Sequence, residues 1–234
     1  MNGAFTSKPV DLSGIPLFAD LTEEQHRKLL EQHRSVALQA DHLLVLEQDE
    51  SQGLFLLCQG LMKVRCFNQE GEEAVIALLG PGEICGEMAV LESRGRRSAD
   101  VVALTPCELV NLRASPFSAL LRTETRLALA LARLQASRLR ALNRRFALQG
   151  ADATTRLLAS LLDLALQANP DGDAKSPIPA LPQRELALLA GLARETASRT
   201  LSRLRQRGTV AVTADGGLQL QDLEPLRRRG LIDG

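Results

Sequence analysis

The segment that most limits the possible folds is 181–207, which reads LPQRELALLAGLARETASRTLSRLRQR. Its pattern predicts two short helices joined by a tight turn at Gly191, where a residue without a Cβ is favoured. In the second helix Ala197, Leu201 and Leu204 recur at helical spacing, so they would pack on a core. We therefore expect a helix-turn-helix here.

The opposite side of the second helix carries side chains that suit contact with DNA. Arginine can donate to both guanine acceptors in the major groove, glutamate can accept from cytosine, and serine suits either role. Further arginines suit phosphate. The predicted DNA-binding residues are Gln183, Arg194, Glu195, Ser198, Arg199 and Arg203. The alternative interpretation is an ordinary solvated helix rich in arginine.

The residues that follow strengthen the first interpretation. Two short β-prone runs, 209–213 and 218–220, flank a turn signal of the Asp-Gly and Gly-Gly type at 214–217. A helix-turn-helix followed by a hairpin is a winged helix, in which the hairpin commonly lies along the DNA backbone.

Composition is that of a globular protein of 234 residues, enough for two domains with real cores. No apolar run reaches the roughly 18 residues of a membrane helix, and the first residues lack a signal-peptide core. We therefore expect no membrane association and a cytoplasmic protein. The 28 basic and 28 acidic side chains balance, but five arginines between 194 and 207 face a single glutamate, so positive charge is local.

Metal chemistry is not predicted. The four cysteines form no CxxC pair and are expected to be small, reduced, apolar residues, and the three histidines lie apart from them. For isolated histidines a solvated or partly buried role is the usual one, with haem ligation as the alternative. These residues are Cys58, Cys66, Cys85, Cys107, His26, His33 and His42.

Upstream, the pattern predicts an α+β protein. Residues 17–112 are mostly short strand-like runs punctuated by glycine, which indicate a β-barrel or jelly roll. Within this region, 21–32 is predicted to form a helix that precedes the strands. The predicted strands include 53–58, 61–67, 74–79 and 100–104. We expect a barrel domain at 1–114, a long helix at 115–149 and a DNA-binding domain at 150–234, with a proline-rich loop at 169–182 inside the last.

The long helix has one stripe of side chains at spacings of three and four, formed by Leu127, Leu131, Leu134, Arg138, Leu142 and Phe146, which Leu139 broadens. Its length favours a helix–helix seam between two copies of the chain, because most soluble oligomers are twofold dimers. The alternative is a long helix packed on its own domain.

A ligand signal lies within 80–103, GPGEICGEMAVLESRGRRSADVVA. Arg97 can hold a phosphate by a charged fork, and Ser98 with nearby backbone N–H groups can complete an anion site. Gly86 allows close approach of a ligand, and Glu87 can accept from a ribose hydroxyl. The alternative is a Glu87–Arg97 salt bridge across a surface turn.

The order Gly86-Glu87, nine residues, then Arg97-Ser98-Ala99 resembles the phosphate-binding cassette of the Crp/Fnr family of transcription regulators. The opening 17–21, LFADL, and the recognition-helix residues 194–199, RETASR, are also similar to that family. Only Cys85 departs, where an aliphatic residue is usual. The resemblance implies a cyclic-nucleotide-binding barrel followed by a dimer helix and a winged helix. Its implied ligand-binding residues are Gly86, Glu87, Met88, Arg97, Ser98 and Asn143.

The resemblance also implies a function. The expected protein is a homodimer whose two recognition helices, ~34 Å apart, contact a palindrome with TGTGA-like or TTGAC-like half-sites. Base edges would be contacted by Arg194, Glu195 and Arg199. The serine at position 198 is similar to the residue at this position in the fumarate-nitrate regulator branch of the family. The expected effector is a cyclic nucleotide, cyclic AMP first, and RNA polymerase is an expected partner.

Two departures from the family pattern bear on the effector. The threonine and serine that contact adenine in the family are replaced by Leu142 and Asn143, or by Ala141 and Leu142 if the alignment slips by one. Asn143 could contact a base edge. The N-terminal cysteine cluster of oxygen sensors is missing, which disfavours iron–sulfur sensing.

Three alternatives remain at the level of sequence. The first is a family regulator that binds DNA without a cyclic nucleotide, its cassette being vestigial or occupied by another anion. The second is a sensory module that acts through protein partners. The third, an enzyme, is not expected, because the chain has no Ser/His/Asp set, no HExxH and no P-loop.

Overall fold

The computed structural model describes residues 10–50, 53–92, 96–169 and 172–233. The N-terminal part contains α1 (Glu23–Leu30), β1 (Arg34–Leu38), β2 (Leu43–Val45), β3 (Leu54–Gln59), β4 (Met62–Phe67), β5 (Glu73–Leu79), β6 (Ile84–Cys85), α2 (Glu87–Leu91), β7 (Asp100–Ala103) and β8 (Cys107–Leu112). The remainder contains α3 (Ala114–Thr123), α4 (Thr125–Ala147), α5 (Ala153–Ala168), α6 (Gln183–Leu189), α7 (Arg194–Gln206), β9 (Val210–Val212), β10 (Leu218–Leu220) and α8 (Glu224–Arg227).

The eight N-terminal strands form two antiparallel sheets of four, with orders β1-β8-β3-β6 and β2-β7-β4-β5. Their facing apolar side chains, among them Leu57, Met62 and Leu109, make the barrel core. This architecture confirms the predicted jelly-roll type of fold. The predicted helix at 21–32 is shorter and begins after Thr22, whose hydroxyl accepts from the backbone N–H of Gln25 in a capping box.

The prediction of one continuous helix over 115–148 is wrong. Glu124, at φ −106° and ψ 95°, leaves the helical conformation and separates α3 from α4. Phe117 of α3 is fully buried and meets Phe18 edge to face, with ring centroids 6.4 Å apart. Both side chains belong to the apolar cluster that joins α3 to the N-terminal segment and the barrel, and such tertiary packing can override a local sequence that favours helix throughout.

The predicted stripe along the long helix is divided between two environments. Leu127 and Leu131 are buried against the barrel of their own protomer. Leu142 and Phe146 are 40% and 72% exposed, and Leu139 is 58% exposed beside them. The stripe is therefore not a single helix–helix seam, since its first half packs on its own domain.

The C-terminal part has its own core around α5, which Asp152 caps by accepting from the N–H groups of Thr154 and Thr155. The predicted hairpin is present as β9 and β10. Ile178, expected in a loop, bridges to Leu218 and adds a short third strand segment. Among the described helices, none has the length and hydropathy that a membrane span requires.

The barrel and the C-terminal domain share one apolar cluster. Leu61, Val75 and Leu104 of the barrel pack in the same cluster as the buried leucines of α5. Arg145 of α4 donates to the carbonyl oxygen of Val75 at 2.9 Å and fastens the end of the long helix to β5. The C-terminal domain is therefore docked on the barrel over the outer side of β4 and β5.

Candidate ligand cassette and recognition helix

The structure brings the predicted cassette together where α2 begins. Gly86 is the N-cap of α2 with φ +88°, a left-handed backbone that favours glycine. A Cβ here would lie 3.0 Å from the carbonyl oxygen of Gly53 and would overlap the Arg97 guanidinium. The glycine is therefore required both by its backbone and by the close approach of Arg97.

Arg97 lies inside the cassette, with only 2% of its surface exposed. Its Nη1 donates to the carbonyl oxygen of Gly86 at 3.0 Å, and its Nη2 donates to that of Gly53 at 2.9 Å. Its guanidinium carbon lies 5.9 Å from the ring centroid of Phe55. Burial lowers the pKa of Arg97, but guanidinium remains charged at any physiological pH. The cassette thus holds a fixed, buried positive charge.

Ser98 and Met88 form the accessible edge of the same site. The Ser98 hydroxyl donates to the Met88 sulfur at 3.5 Å, and both side chains are exposed. A ligand anion at this edge would meet a hydroxyl donor backed by the Arg97 charge.

Glu87 connects the cassette to α4. Its carboxylate is buried, and one oxygen accepts from Gln135 Nε2 at 2.7 Å and from Arg138 Nη1 at 2.8 Å. Arg138 also donates to the carbonyl oxygen of Ile84. The Glu87 carboxylate therefore forms its ion pair with the long helix.

Gln135 and Arg138 were not among the residues predicted for this site. The available signal was Arg138 itself, a charged side chain inside an otherwise apolar stripe, because a charge at such a position needs a partner.

Asn143, the remaining predicted ligand residue, is exposed on α4, five residues beyond Arg138. Within the described parts of the chain, no hydrogen bond joins it to the cassette of its own protomer. The structure therefore brings five of the six predicted ligand residues together and leaves Asn143 apart from them.

The cysteines do not supply reactive chemistry to the cassette. Burial raises the pKa of the Cys85 thiol to about 12, which keeps it protonated beside Glu87. Cys107 is buried too and Cys66 is half-buried, as expected for small apolar residues, whereas Cys58 is exposed, contrary to expectation.

The predicted helix-turn-helix consists of α6 and α7. Ala197, Leu201 and Leu204 are buried, and Gly191 makes the turn with φ +59°. Arg156 of α5 fixes that turn by donating to the carbonyl oxygens of Ala190 and Gly191. The apolar spacing read from the sequence therefore corresponds to the buried side of α7.

The other side of α7 is open. Of the predicted DNA-binding side chains on α7, Ser198 is half-buried and four are exposed: Arg194, Glu195, Arg199 and Arg203. Gln183, which lies at the start of α6, is exposed as well. Arg199 forms an ion pair with Glu195 at 3.3 Å, between atoms that are largely solvated. Such an exposed pair is weak, so both side chains are available for another partner.

Comparison with known proteins agrees with this geometry. A cyclic nucleotide-binding domain matches residues 35–124, which include the cassette, and a Crp-like helix-turn-helix domain matches residues 155–229. The cyclic AMP receptor protein of Thermus thermophilus is 36% identical over 202 residues, covering 85% of this chain and 89% of that protein. The cAMP-activated global transcriptional regulator CRP of Salmonella typhimurium is 27% identical over 173 residues, covering 72% and 80%.

Solved structures share the fold. FixK2 from Bradyrhizobium japonicum has a TM-score of 0.72 at 19% identity, covering 84% of this chain and 96% of that one. A CRP/FNR-family transcriptional regulator from Thermus thermophilus, TTHA1359, has a TM-score of 0.62 at 26% identity, covering 86% and 100%. Together with the cassette and the exposed recognition helix, these similarities show that the chain belongs to the Crp/Fnr family of DNA-binding transcription regulators, which are not enzymes.

Proposed function

We propose that the protein is a homodimeric transcription regulator whose affinity for a palindromic DNA site is set by a cyclic nucleotide in the barrel. The observation that carries the proposal is the position of Glu87. This carboxylate lies in the cassette and is held by Gln135 and Arg138 of the helix that leads to the DNA-binding domain.

Each half of a cyclic nucleotide finds a suitable group in the proposed site. The phosphate would bind to the Arg97 guanidinium and accept a hydrogen bond from the Ser98 hydroxyl, since charge-assisted hydrogen bonds to a guanidinium are strong. A ribose hydroxyl would donate to Glu87, in competition with the donors on α4. Because a ligand shifts an equilibrium only by its different affinity for the two states, this competition supplies a route from binding to helix position.

The proposed dimer uses the exposed face of α4. Leu139, Leu142 and Phe146 lie on one side of the helix and are 40% to 72% exposed in the single chain. A contiguous apolar face of this kind is what a second copy would cover. In such a dimer we expect Asn143 to contact the base of the nucleotide across the seam.

The proposal assigns nucleotide binding to residues 1–114, dimerisation to 115–149 and DNA binding to 150–234. The recognition helices of the dimer would contact TGTGA-like or TTGAC-like half-sites, with RNA polymerase as the protein partner and the cytoplasm as the location. Cyclic AMP is the proposed effector, which the names of the relatives support.

The test is binding of the full chain to a labelled palindromic duplex and to a scrambled duplex, with and without cyclic AMP. Salt is held fixed, because phosphate contacts dominate the affinity. We expect cyclic AMP to tighten binding to the palindrome only. Equal preference for the palindrome without cyclic AMP would refute nucleotide control and leave a ligand-independent regulator.

Two substitutions separate the two sites in that assay. Arg97→Ala should abolish binding of cyclic AMP while the chain remains folded. Arg199→Ala should cost about 1–3 kcal/mol for the palindrome and much less for the scrambled duplex. Arg207→Ala, an exposed arginine just beyond α7, is the control that should weaken both duplexes alike. Equal losses on the two duplexes for Arg199→Ala would refute base contact by that residue.

A further inference from the structure

We propose that a relay of buried and half-buried ion pairs, from Asp100 in the barrel to Glu185 in α6, transmits the state of the cassette to the DNA-binding domain within one protomer. It is separate from the route through α4, and it rests on the proposed nucleotide control. It consists of Asp100, Arg65, Glu73, Lys63 and Glu185.

The centre of the relay is Lys63, a lysine on β4 with only 3% of its surface exposed. Its Nζ lies 2.7 Å from Glu185 Oε2 and 2.8 Å from Glu73 Oε1. Glu185 belongs to the first turn of α6 and is 6% exposed, so the Lys63–Glu185 pair crosses the domain interface out of solvent. A buried ammonium requires such partners, because an unpaired charge away from water is very costly.

The relay begins beside the cassette. Asp100 opens β7, two residues after Ser98, and is 3% exposed. Its carboxylate accepts from the backbone N–H of Glu47 at 2.9 Å and from Arg65 Nε at 3.1 Å. A displacement of the backbone at Ser98 would therefore also move the Asp100 carboxylate and change its contacts with Glu47 and Arg65.

Arg65 and Glu73 carry the path across the sheet. Arg65 Nη1 lies 3.2 Å from Glu73 Oε2, and the other oxygen of Glu73 faces Lys63. Lys63 and Arg65 are two residues apart on β4, so their side chains project from the same face. The DNA-binding domain covers that face at Lys63. The five side chains thus form a series of ionic contacts, in which Lys63 and Glu73 are joined by an ion pair without a hydrogen bond.

The relay ends at a segment that is expected to contact DNA. Glu185 Oε1 lies 3.4 Å from Arg184 Nε, and Arg184 also pairs with Asp41 of the barrel at 2.6 Å. Arg184 is adjacent to Gln183, a predicted DNA-binding residue at the start of α6. The barrel therefore binds the start of α6 through two ion pairs, Lys63–Glu185 and Asp41–Arg184. In helix-turn-helix proteins this helix crosses the DNA backbone.

An ionic contact suits a switch better than the apolar contacts around it. A buried ion pair such as Lys63–Glu185 has one good geometry and otherwise must separate and hydrate. The pair therefore has two discrete arrangements, docked or solvated, and such an element can carry coupling between sites.

The experiment measures coupling, taken as the ratio of the palindrome Kd without cyclic AMP to the Kd with it. The variants are Lys63→Met, Glu185→Gln and the double variant, and the matched control is Lys28→Met, which removes an exposed ion pair on α1. Coupling factors in proteins are commonly 5–150-fold. We expect Lys28→Met to keep the wild-type ratio and each relay variant to lower it by at least about threefold, with the remaining coupling carried by the route through α4. The double variant should lose no more than either single one.

Binding of cyclic AMP to the DNA-free protein separates this role from damage to the cassette, and it should stay within about twofold of wild type in the relay variants, far less than typical coupling factors. A folded Lys63→Met variant with the wild-type ratio would overturn the relay. If Lys63→Met does not fold, Asp100→Asn and Glu185→Gln, which preserve shape, carry the same expectation and the same refutation.

A wild-type protein without any response to cyclic AMP would refute the proposed function, and a second measurement then decides the relay alone. Asp100→Asn changes only the cassette end, so transmission predicts faster amide hydrogen exchange in α6, at the far end. Exchange in α6 identical to that of the wild type would overturn the relay without reference to any ligand.

Discussion

The docking of the DNA-binding domain on the barrel can be tested by adding one methyl group at Gly80. This residue follows β5, and its backbone is not left-handed, so alanine brings no conformational strain there. Its new Cβ, however, would lie 2.9 Å from the carbonyl carbon of Gln167 in α5, and closer still to the oxygen. The substitution therefore acts as a wedge between the two domains.

The magnitude follows from that distance. Carbon atoms in good contact lie about 3.5–4.0 Å apart, so α5 must move away from β5 by roughly 0.5–1 Å or more. Overpacking of this kind costs about 1–3 kcal/mol. At about 2–4 °C per kcal/mol for a chain of this size, Gly80→Ala should lower Tm by roughly 2–12 °C.

Differential scanning calorimetry measures this shift, with Gly150→Ala as the control. Gly150 also lacks a left-handed backbone, and nothing lies within 4 Å of the Cβ it would gain. We expect the control to stay close to the wild-type Tm. If Gly80→Ala has the same Tm as the control, then β5 and α5 are not in the contact described, and the C-terminal domain is not docked on the barrel in this way.

Three further predictions concern the other parts of the molecule. Phe146→Ser should turn the dimer into a monomer by removing the most exposed apolar side chain of α4, whereas Phe67→Ser on the barrel should not; sedimentation measures both. Asp152→Ala should cost about 0.5–2 kcal/mol in chemical denaturation near neutral pH, because the cap of α5 is lost. The Thr155 hydrogen bonds lower the pKa of Asp152, so this stabilisation is present above pH 3.8 and disappears as the pH falls through the lowered value; a constant difference at acid pH would contradict it. Iodoacetamide at pH 8 should label exposed Cys58 and spare Cys85, whose buried thiol has a pKa of about 12; peptide mass spectrometry reads the sites, and early labelling of Cys85 would refute its burial.

Much of the local structure follows from residue order alone. The helix-turn-helix was predictable because Gly191 and the Ala197, Leu201, Leu204 spacing are local signals. The cassette was predictable in the same way, since Gly86, Glu87, Arg97 and Ser98 stand at a fixed spacing within one stretch of chain. Short-range pattern and motif spacing therefore determine which elements exist and which residues they offer.

The break at Glu124 and the divided stripe of α4 were not predictable in this way. Local propensity favours one helix throughout 115–148, whereas the structure ends α3 at Thr123 and packs Phe117 of that helix against Phe18. Likewise, the order of residues does not predict that Leu131 faces the barrel while Phe146 faces outward. Those outcomes depend on which surface the rest of the fold presents to each turn of the helix.

Residue order is enough to predict the family of folds, the two candidate sites and most of their side chains, but not Gln135 or Arg138. Tertiary structure alone decided which charges meet: Glu87 with Arg138, and Lys63 with Glu185, a pair separated by 122 positions in the chain. The physical reason is that apolar periodicity is a property of neighbouring residues, whereas a buried ion pair depends on two distant surfaces closing over the same volume. A lysine in a strand and a glutamate at a helix start look solvated in the sequence, and they become partners only when the domains dock.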